Sequence, residues 1–192
     1  MRNLLVFNQV SLDGYICDAH GDMSWAHKND PEWTQWVSNN ASGGGELLFG
    51  RVTYQQMASF WPTPAALHSM PVVAQRMNEA RKVVFSRTLE QASWQNTKLI
   101  KTDIVAAVRQ LKSEPGPGLV LMGSGSIVSQ LAEHGLVDEY QLVINQIVLG
   151  SGKSMFEGVK RRFELALTNS RRFENGNVVL SYRLAGSARA QA

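Results

Sequence analysis

With 192 residues, 44% of them hydrophobic, the chain is long enough to bury a sizeable core. At roughly 100–200 residues per domain, one domain is expected over residues 1–184, with 185–192 as a disordered tail lacking apolar anchors. A net charge of +3 is dispersed along the chain, whereas nucleic-acid binding needs a concentrated basic face, so that class is disfavoured. A single cysteine, Cys17, excludes an intrachain disulfide and a thiolate-rich zinc site. His20, His27, His68 and His134 lack metal-ligand spacing, so no metal is expected. No secretory leader is seen, and no apolar run approaches the ~18 residues of a membrane span, so a cytoplasmic protein is expected.

Leu4 to Val10 is a short apolar run, and Ser11-Leu12-Asp13-Gly14 closes this first strand on an Asp-Gly turn. Tyr15 to Asn29 has no helical period and predicts a long loop with a second turn at Gly21-Asp22. Asn29-Asp30-Pro31-Glu32 is a helix-start signal, combining a capping side chain, proline at the first helical position and an acid in the first turn. Trp33, Trp36 and Val37 give that helix an apolar face, and Gly43-Gly44-Gly45 stops it. Glu46 to Phe49 reads as a buried strand ended by Gly50, with Thr53 placed to cap a helix over Tyr54 to Phe60. Pro62, Pro64 and Pro71 predict an irregular stretch, with a short helix over Val73 to Ala80.

Lys82 to Phe85 and Thr97 to Lys101 are further strands, and Asp103 caps a helix over Ile104 to Lys112. Leu119 to Ala132 (LVLMGSGSIVSQLA) runs from a strand through a Gly-Ser turn into a helix. Such alternation predicts an α/β layer arrangement with a mainly parallel sheet. Val137 to Leu149 is β-rich, compatible with a central strand or a dimer seam. Phe163 to Arg172 and Asn177 to Leu184 flank an Asn-Gly hairpin turn, so the C-terminal part is antiparallel.

The Gly-Ser turn can cradle a phosphate on its helix N-terminus, or be only a tight connection. It is not an ordinary dinucleotide fingerprint, because Val128 stands where the third glycine belongs and no acidic ribose partner follows. Two other strand ends favour a ligand: Gly50-Arg51-Val52-Thr53, and Ser86-Arg87, each pairing a hydroxyl with a guanidinium. Ligands of open α/β sheets gather beyond the carboxyl ends of the strands, so these ends together point to a phosphorylated dinucleotide with an extra phosphate near Arg51, Ser86 or Arg87.

The segments SLDGYI, LLFGRVTYQQM, KVVFSRTL, LVLMGSGSIVSQL and LVDEYQLVINQIVLGSGKSMFEG, in this order, resemble the dihydrofolate reductase-like family. The nearest branch is that of the reductase domain of bacterial bifunctional riboflavin-biosynthesis deaminase-reductases. The resemblance implies a three-layer α/β fold with a mostly parallel central sheet of about eight strands flanked by helices and an antiparallel C-terminal hairpin. It implies NADPH as hydride donor and often a homodimer. On the matching positions, Gly50, Arg51 and Thr53 contact the cofactor, Ser86 and Arg87 take the adenosine 2′-phosphate, and Gly123, Ser124, Gly125, Ser126 and Ile127 form the pyrophosphate turn. Dihydrofolate reductases use a carboxylate on the helix after the first loop, and the corresponding region here offers Asp30 and Glu32 as catalytic candidates. Asp13 borders the nicotinamide, and Tyr54 and Trp61 wall the substrate pocket. The chain departs from the riboflavin reductases in having Gln146 where they usually carry proline, and it has no zinc deaminase half.

The expected activity is therefore an NADPH-dependent reduction of a small heterocycle of pteridine, dihydrofolate-like or pyrimidine type. The alternative is a nucleotide-binding module of the same fold without efficient catalysis. Bulky replacements at Gly123 or Gly125 are expected to cost cofactor affinity more than stability.

Overall fold

The computed structural model describes residues 1–27 and 30–185. Asn29 of the helix-start signal and residues 186–192 of the expected tail lie outside the described residues.

The strands are β1 (Leu4–Ser11), β2 (Tyr15–Cys17), β3 (Glu46–Gly50), β4 (Lys82–Phe85), β5 (Thr97–Ile100), β6 (Leu119–Met122), β7 (Glu139–Asn145), β8 (Lys153–Ser154), β9 (Leu165–Arg172) and β10 (Val178–Leu184). The helices are α1 (Pro31–Ser42), α2 (Arg51–Phe60), α3 (Pro64–Ser69), α4 (Pro71–Glu79), α5 (Ile104–Ser113) and α6 (Gly125–Glu133). Eight strands form one sheet in the order β5-β4-β3-β6-β1-β7-β10-β9, and β2 pairs with β8 in a small second ribbon. The ladder from β5 to β7 is parallel throughout, whereas β10 runs antiparallel to both β7 and β9. The expected three-layer, mostly parallel sheet with an antiparallel C-terminal hairpin is therefore present, and the β-rich run after Gly135 supplies an interior strand.

Both faces are covered, and the strand alternation shows how. Leu4, Val6 and Val10 of β1 join Val108 and Leu111 of α5 and Ile127, Val128 and Leu131 of α6 in one buried cluster. Residues one step out of phase, Leu47 and Phe49 of β3 and Val84 of β4, pack on the other face against Tyr54 of α2 and Val73 and Met77 of α4. Beside them, Phe7, Val143 and Val179 meet Trp33 and Trp36 of α1. The two indoles stack at 5.0 Å, and Phe173 stands edge-on to Trp33 at the same separation.

The prolines act as helix starters here. Pro64 and Pro71 each occupy the first turn of a helix, and Thr63 Oγ1 accepts the Ala66 N–H as a cap, so the stretch expected to be irregular contains α3, and the helix expected over Val73 to Ala80 is α4, begun two residues earlier at Pro71. α2 begins at Arg51, earlier than expected, with Gly50 as its cap residue, and Thr53 does not cap it. Among the described residues no helix is long and apolar enough to cross a membrane, and no group of histidine, cysteine or carboxylate side chains is placed to hold a metal.

Candidate active site

The carboxyl ends of β3 and β6 meet at one hydroxyl. Ser124 Oγ accepts the Gly50 N–H at 2.8 Å and lies 3.1 Å from Thr53 Oγ1. Through this contact the N-termini of α2 and α6 lie side by side. Neither helix has a side-chain cap, so the leading N–H groups and the positive dipole ends of both are available to an anion. From the neighbouring strand β1, Asn8 Oδ1 accepts the Gly123 N–H at 2.9 Å, while its Nδ2 donates to Met155 Sδ at 3.2 Å. Asn8 was missed from sequence; its signal is a buried amide in the inward row Leu4, Val6, Asn8, Val10.

The turn itself is tightly built. Gly123 has φ 64° and Ser124 φ 57°, the left-handed region that a side chain adopts only with strain. A Cβ on Gly123 would come within 2.7 Å of Thr53 Oγ1, one on Gly50 within 2.5 Å of Ser124 Oγ, and one on Gly125 within 2.8 Å of the Ser154 carbonyl oxygen. These clashes are with the protein's own atoms. The expectation that replacing Gly123 or Gly125 costs binding more than stability thus meets a physical objection, since the fold itself requires glycine there.

The remaining sequence candidates fall into three groups. Arg51 is exposed on the first turn of α2, its Nη1 donating to Gln55 Oε1 at 3.0 Å, while Ser126 and Ile127 continue the first turn of α6. Ser86 Oγ accepts the Thr88 and Leu89 N–H groups at the end of β4, and the exposed Arg87 carries no ion pair among the described residues. Asp13 stands at the end of β1. Its carboxylate accepts from Ser11 Oγ at 2.7 Å and from the N–H groups of Leu149 and Gly150, clasping the first loop to the turn after β7. The Ser11 hydroxyl above all, and with it these backbone donors, hold its pKa below the usual carboxylate value against the opposing effect of desolvation.

Asp30, Glu32, Tyr54 and Trp61 are engaged in contacts of their own. Asp30 caps α1, accepting the Trp33 N–H at 2.7 Å, and Glu32 pairs with Arg171 at 2.9 Å on the surface. Tyr54 is buried with its hydroxyl accepting the Trp94 N–H at 2.8 Å, and Trp61 donates its indole N–H to Met57 Sδ. A cleft of about 480 Å³ at the opposite ends of the strands is basic, but its Arg2 and Lys82 are already engaged. Arg2 pairs with Glu46, and Lys82 Nζ donates to the carbonyls of Met77, Asn78 and Ala80.

The sheet order and the C-terminal hairpin define a dihydrofolate reductase-like fold. The chain belongs to the RibD C-terminal domain family, whose model matches residues 2–179. It is 30% identical over 186 residues to the uncharacterized protein YyaP of Bacillus subtilis (strain 168), covering 96% of each chain. Its fold is similar to that of a diaminohydroxyphosphoribosylaminopyrimidine deaminase/5-amino-6-(5-phosphoribosylamino)uracil reductase from Thermotoga maritima, with a TM-score of 0.67, 17% identity, and coverage of 96% of this chain and 57% of that one. It is also similar to dihydrofolate reductase from Enterococcus faecalis in complex with NADP(H), with a TM-score of 0.64, 13% identity, and coverage of 95% and 96%. Family and fold together support an oxidoreductase.

Proposed function

We propose that the chain is an NADPH-dependent reductase, acting as a cytoplasmic homodimer on a small heterocycle of pteridine, dihydrofolate-like or pyrimidine type. The observation that carries this reading is the pair of uncapped helix N-termini joined through Ser124, a donor set suited to a diphosphate. The neighbour crystallised with NADP(H) supports the same choice. In this reading the turn Gly123 to Ile127 receives the diphosphate on the N–H groups of Ser124, Gly125 and Ser126, with the start of α2 at Gly50 and Thr53 beside it, and Arg51, Ser86 and Arg87 receive the 2′-phosphate. The clasped loop at Asp13 excludes water from the edge where the rings meet, and Tyr54 and Trp61 support the pocket from α2. When bound, the cofactor supplies the hydride; the chain's own contribution is positioning.

Titration of NADPH and NADH, followed by quenching of tryptophan fluorescence, tests the assignment. NADPH should bind at least about tenfold more tightly, and Arg87→Ala should shrink that ratio, as expected when one of a few charge-assisted contacts to a phosphate is lost. Equal affinities, or no binding of either, overturn it.

A second reading, a nucleotide-binding module without efficient catalysis, is favoured by the engagement of both α1 carboxylates, Asp30 as a cap and Glu32 in an ion pair. Asp30→Asn keeps a capping acceptor, and Glu32→Gln removes only an exposed charge. Loss of turnover with NADPH affinity retained supports the enzyme with these residues as proton donors. Absence of turnover in the unaltered chain, on a panel of heterocycles, supports the binding module.

A further inference from the structure

Both glycines of the Gly-Ser turn are tied, each through one side chain, to a single residue of a different segment. Met155, 2% exposed, follows β8 in the connection between β7 and β9. Its sulfur accepts from Asn8 Nδ2 at 3.2 Å, and the oxygen of the same amide accepts the Gly123 N–H at 2.9 Å. Its main-chain carbonyl lies 3.3 Å from Ser129 Oγ, a hydroxyl shared with the Gly125 carbonyl at 2.8 Å. Gly123 and Gly125 flank Ser124, the residue of the turn held in the left-handed region.

The packing is as close as the bonding. A Cβ on Gly125 would meet the Ser154 carbonyl oxygen at 2.8 Å, Ile16 Cδ1 at 3.2 Å and Met155 Cα at 3.6 Å, so the β2–β8 ribbon rests directly on the first turn of α6. Asn8 consumes the Gly123 N–H, and the Ile127 N–H returns to the Ser124 carbonyl. Ser124, Gly125 and Ser126 are left to supply the donors of the turn. Leu4, Val6 and Val10 show that the inward row of β1 takes apolar side chains, and a buried amide there costs desolvation unless both of its ends are bonded. Asn8 spends one end on the turn and the other on Met155.

We propose that Asn8, Ser129 and Met155 are positioning residues for the diphosphate turn, a brace through which the β7–β9 connection fixes the direction of the Ser124, Gly125 and Ser126 N–H groups. The inference deepens the reductase reading and rests on it for the anion at the turn. Donors stabilise an anion best when they are already aimed at it and need no reorganisation on binding. The brace keeps Ser124 in a backbone conformation that costs energy, and none of its three side chains touches the ligand. Loss of a tie therefore lowers affinity at the diphosphate alone.

The test uses calorimetry on the full chain with two probes: NADPH, and adenosine 2′-monophosphate, which carries the adenosine and the 2′-phosphate but no diphosphate. Asn8→Leu should weaken NADPH binding at least about tenfold and Ser129→Ala at least about threefold, each leaving the affinity for adenosine 2′-monophosphate unchanged. Ser129→Ala removes only a hydroxyl and improves helix propensity, so it carries the test where Asn8→Leu fails to fold. NADPH affinity unchanged in the folded variants overturns the assignment. An equal loss for both probes also overturns it, since it marks a role in general stability alone. Failure of the unaltered chain to bind NADPH counts against the reductase reading instead. Inorganic pyrophosphate then probes the turn: the same losses in the two variants sustain the brace, and absence of pyrophosphate binding overturns it.

Discussion

Replacing Gly123 by valine should lower the unfolding free energy by about 2–6 kcal/mol, measured by urea denaturation, and should weaken NADPH binding by the protein that remains folded. Two costs add. The backbone there has φ 64°, which a β-branched residue adopts only with strain of about 1–3 kcal/mol. The new Cβ would sit within 2.8 Å of both Thr53 Oγ1 and Cγ2, so α2 must shift or Thr53 must leave its rotamer. Either movement separates Thr53 from Ser124 and pulls apart the helix starts that form the anion cradle. Ser124→Ala is the milder companion, deleting the acceptor of the Gly50 N–H without adding bulk, at about 1 kcal/mol. An unchanged urea midpoint in Gly123→Val would show that the turn is looser than its geometry implies.

Lys82→Met should cost about 2–5 kcal/mol at neutral pH, and the deficit should widen as the solution is made alkaline. Lys82 is 1% exposed, closes the last turn of α4 by donating to the Met77, Asn78 and Ala80 carbonyls, and lies 4.5 Å over the Trp94 ring. Methionine fills much of the space but leaves those acceptors without their donor. Burial, followed by the neighbouring Arg76, lowers the lysine pKa from its ordinary 10.5 to about 8. Between those values the unfolded chain binds more protons than the native one. The native protein therefore gains stability as pH rises through that window, by up to about 1.4 kcal/mol per pH unit, a gain the methionine variant lacks. Tyr140 acts in the opposite sense. Burial pushes its hydroxyl up to about 12 against a small opposing pull from Arg161, so both proteins lose stability above its ordinary pKa of 10, and the loss cancels in their difference. Denaturation curves collected from pH 7 to 10 test this; a constant gap would show that Lys82 keeps its proton throughout.

The strands and most helix starts were legible because each rests on local chemistry. Asp30 and Asp103 cap their helices as their positions suggest, and the Asn-Gly pair turns the hairpin between β9 and β10. The misreadings were also local in origin. Pro64 marks an irregular stretch only if proline is taken as a breaker, whereas Thr63 before it signals a capped start. Thr53 was read as a cap because a hydroxyl near a helix start usually serves as one, whereas here it reaches Ser124, 71 residues away. The clasp between Asp13 and Gly150 spans 137 positions, and the Asn145 contact with Gln9 spans 136. Neither leaves a periodic trace, because such pairs are set by strand order alone. Asn8 and Gln9 show the boundary well: two consecutive amides ending an apolar strand could be noticed, but which one meets the glycine turn and which meets β7 depends on the faces of a sheet not yet assembled.

The place of β1 at the middle of the sheet governs how this chain can come off the ribosome. β1, ahead of the other nine strands in chain order, has both of its hydrogen-bonding edges reserved for strands at Leu119–Met122 and Glu139–Asn145, whereas β3, β4 and β5 pair in sequence with their neighbours. Once synthesis has passed β5, the β3–β5 half can therefore order while Leu4 to Ser11 stays unpaired, an apolar segment open to wrong partners until the strands ending at Met122 and Asn145 have been made. Pulse-labelled nascent chains should show protection of Leu47 to Phe49 well before that of Val6 to Asn8, and any delay in translation between β5 and β7 should raise the demand for chaperones. The edge that carries Asn8, Gln9 and Asp13 is thereby assembled last, since all three wait for the same late strands.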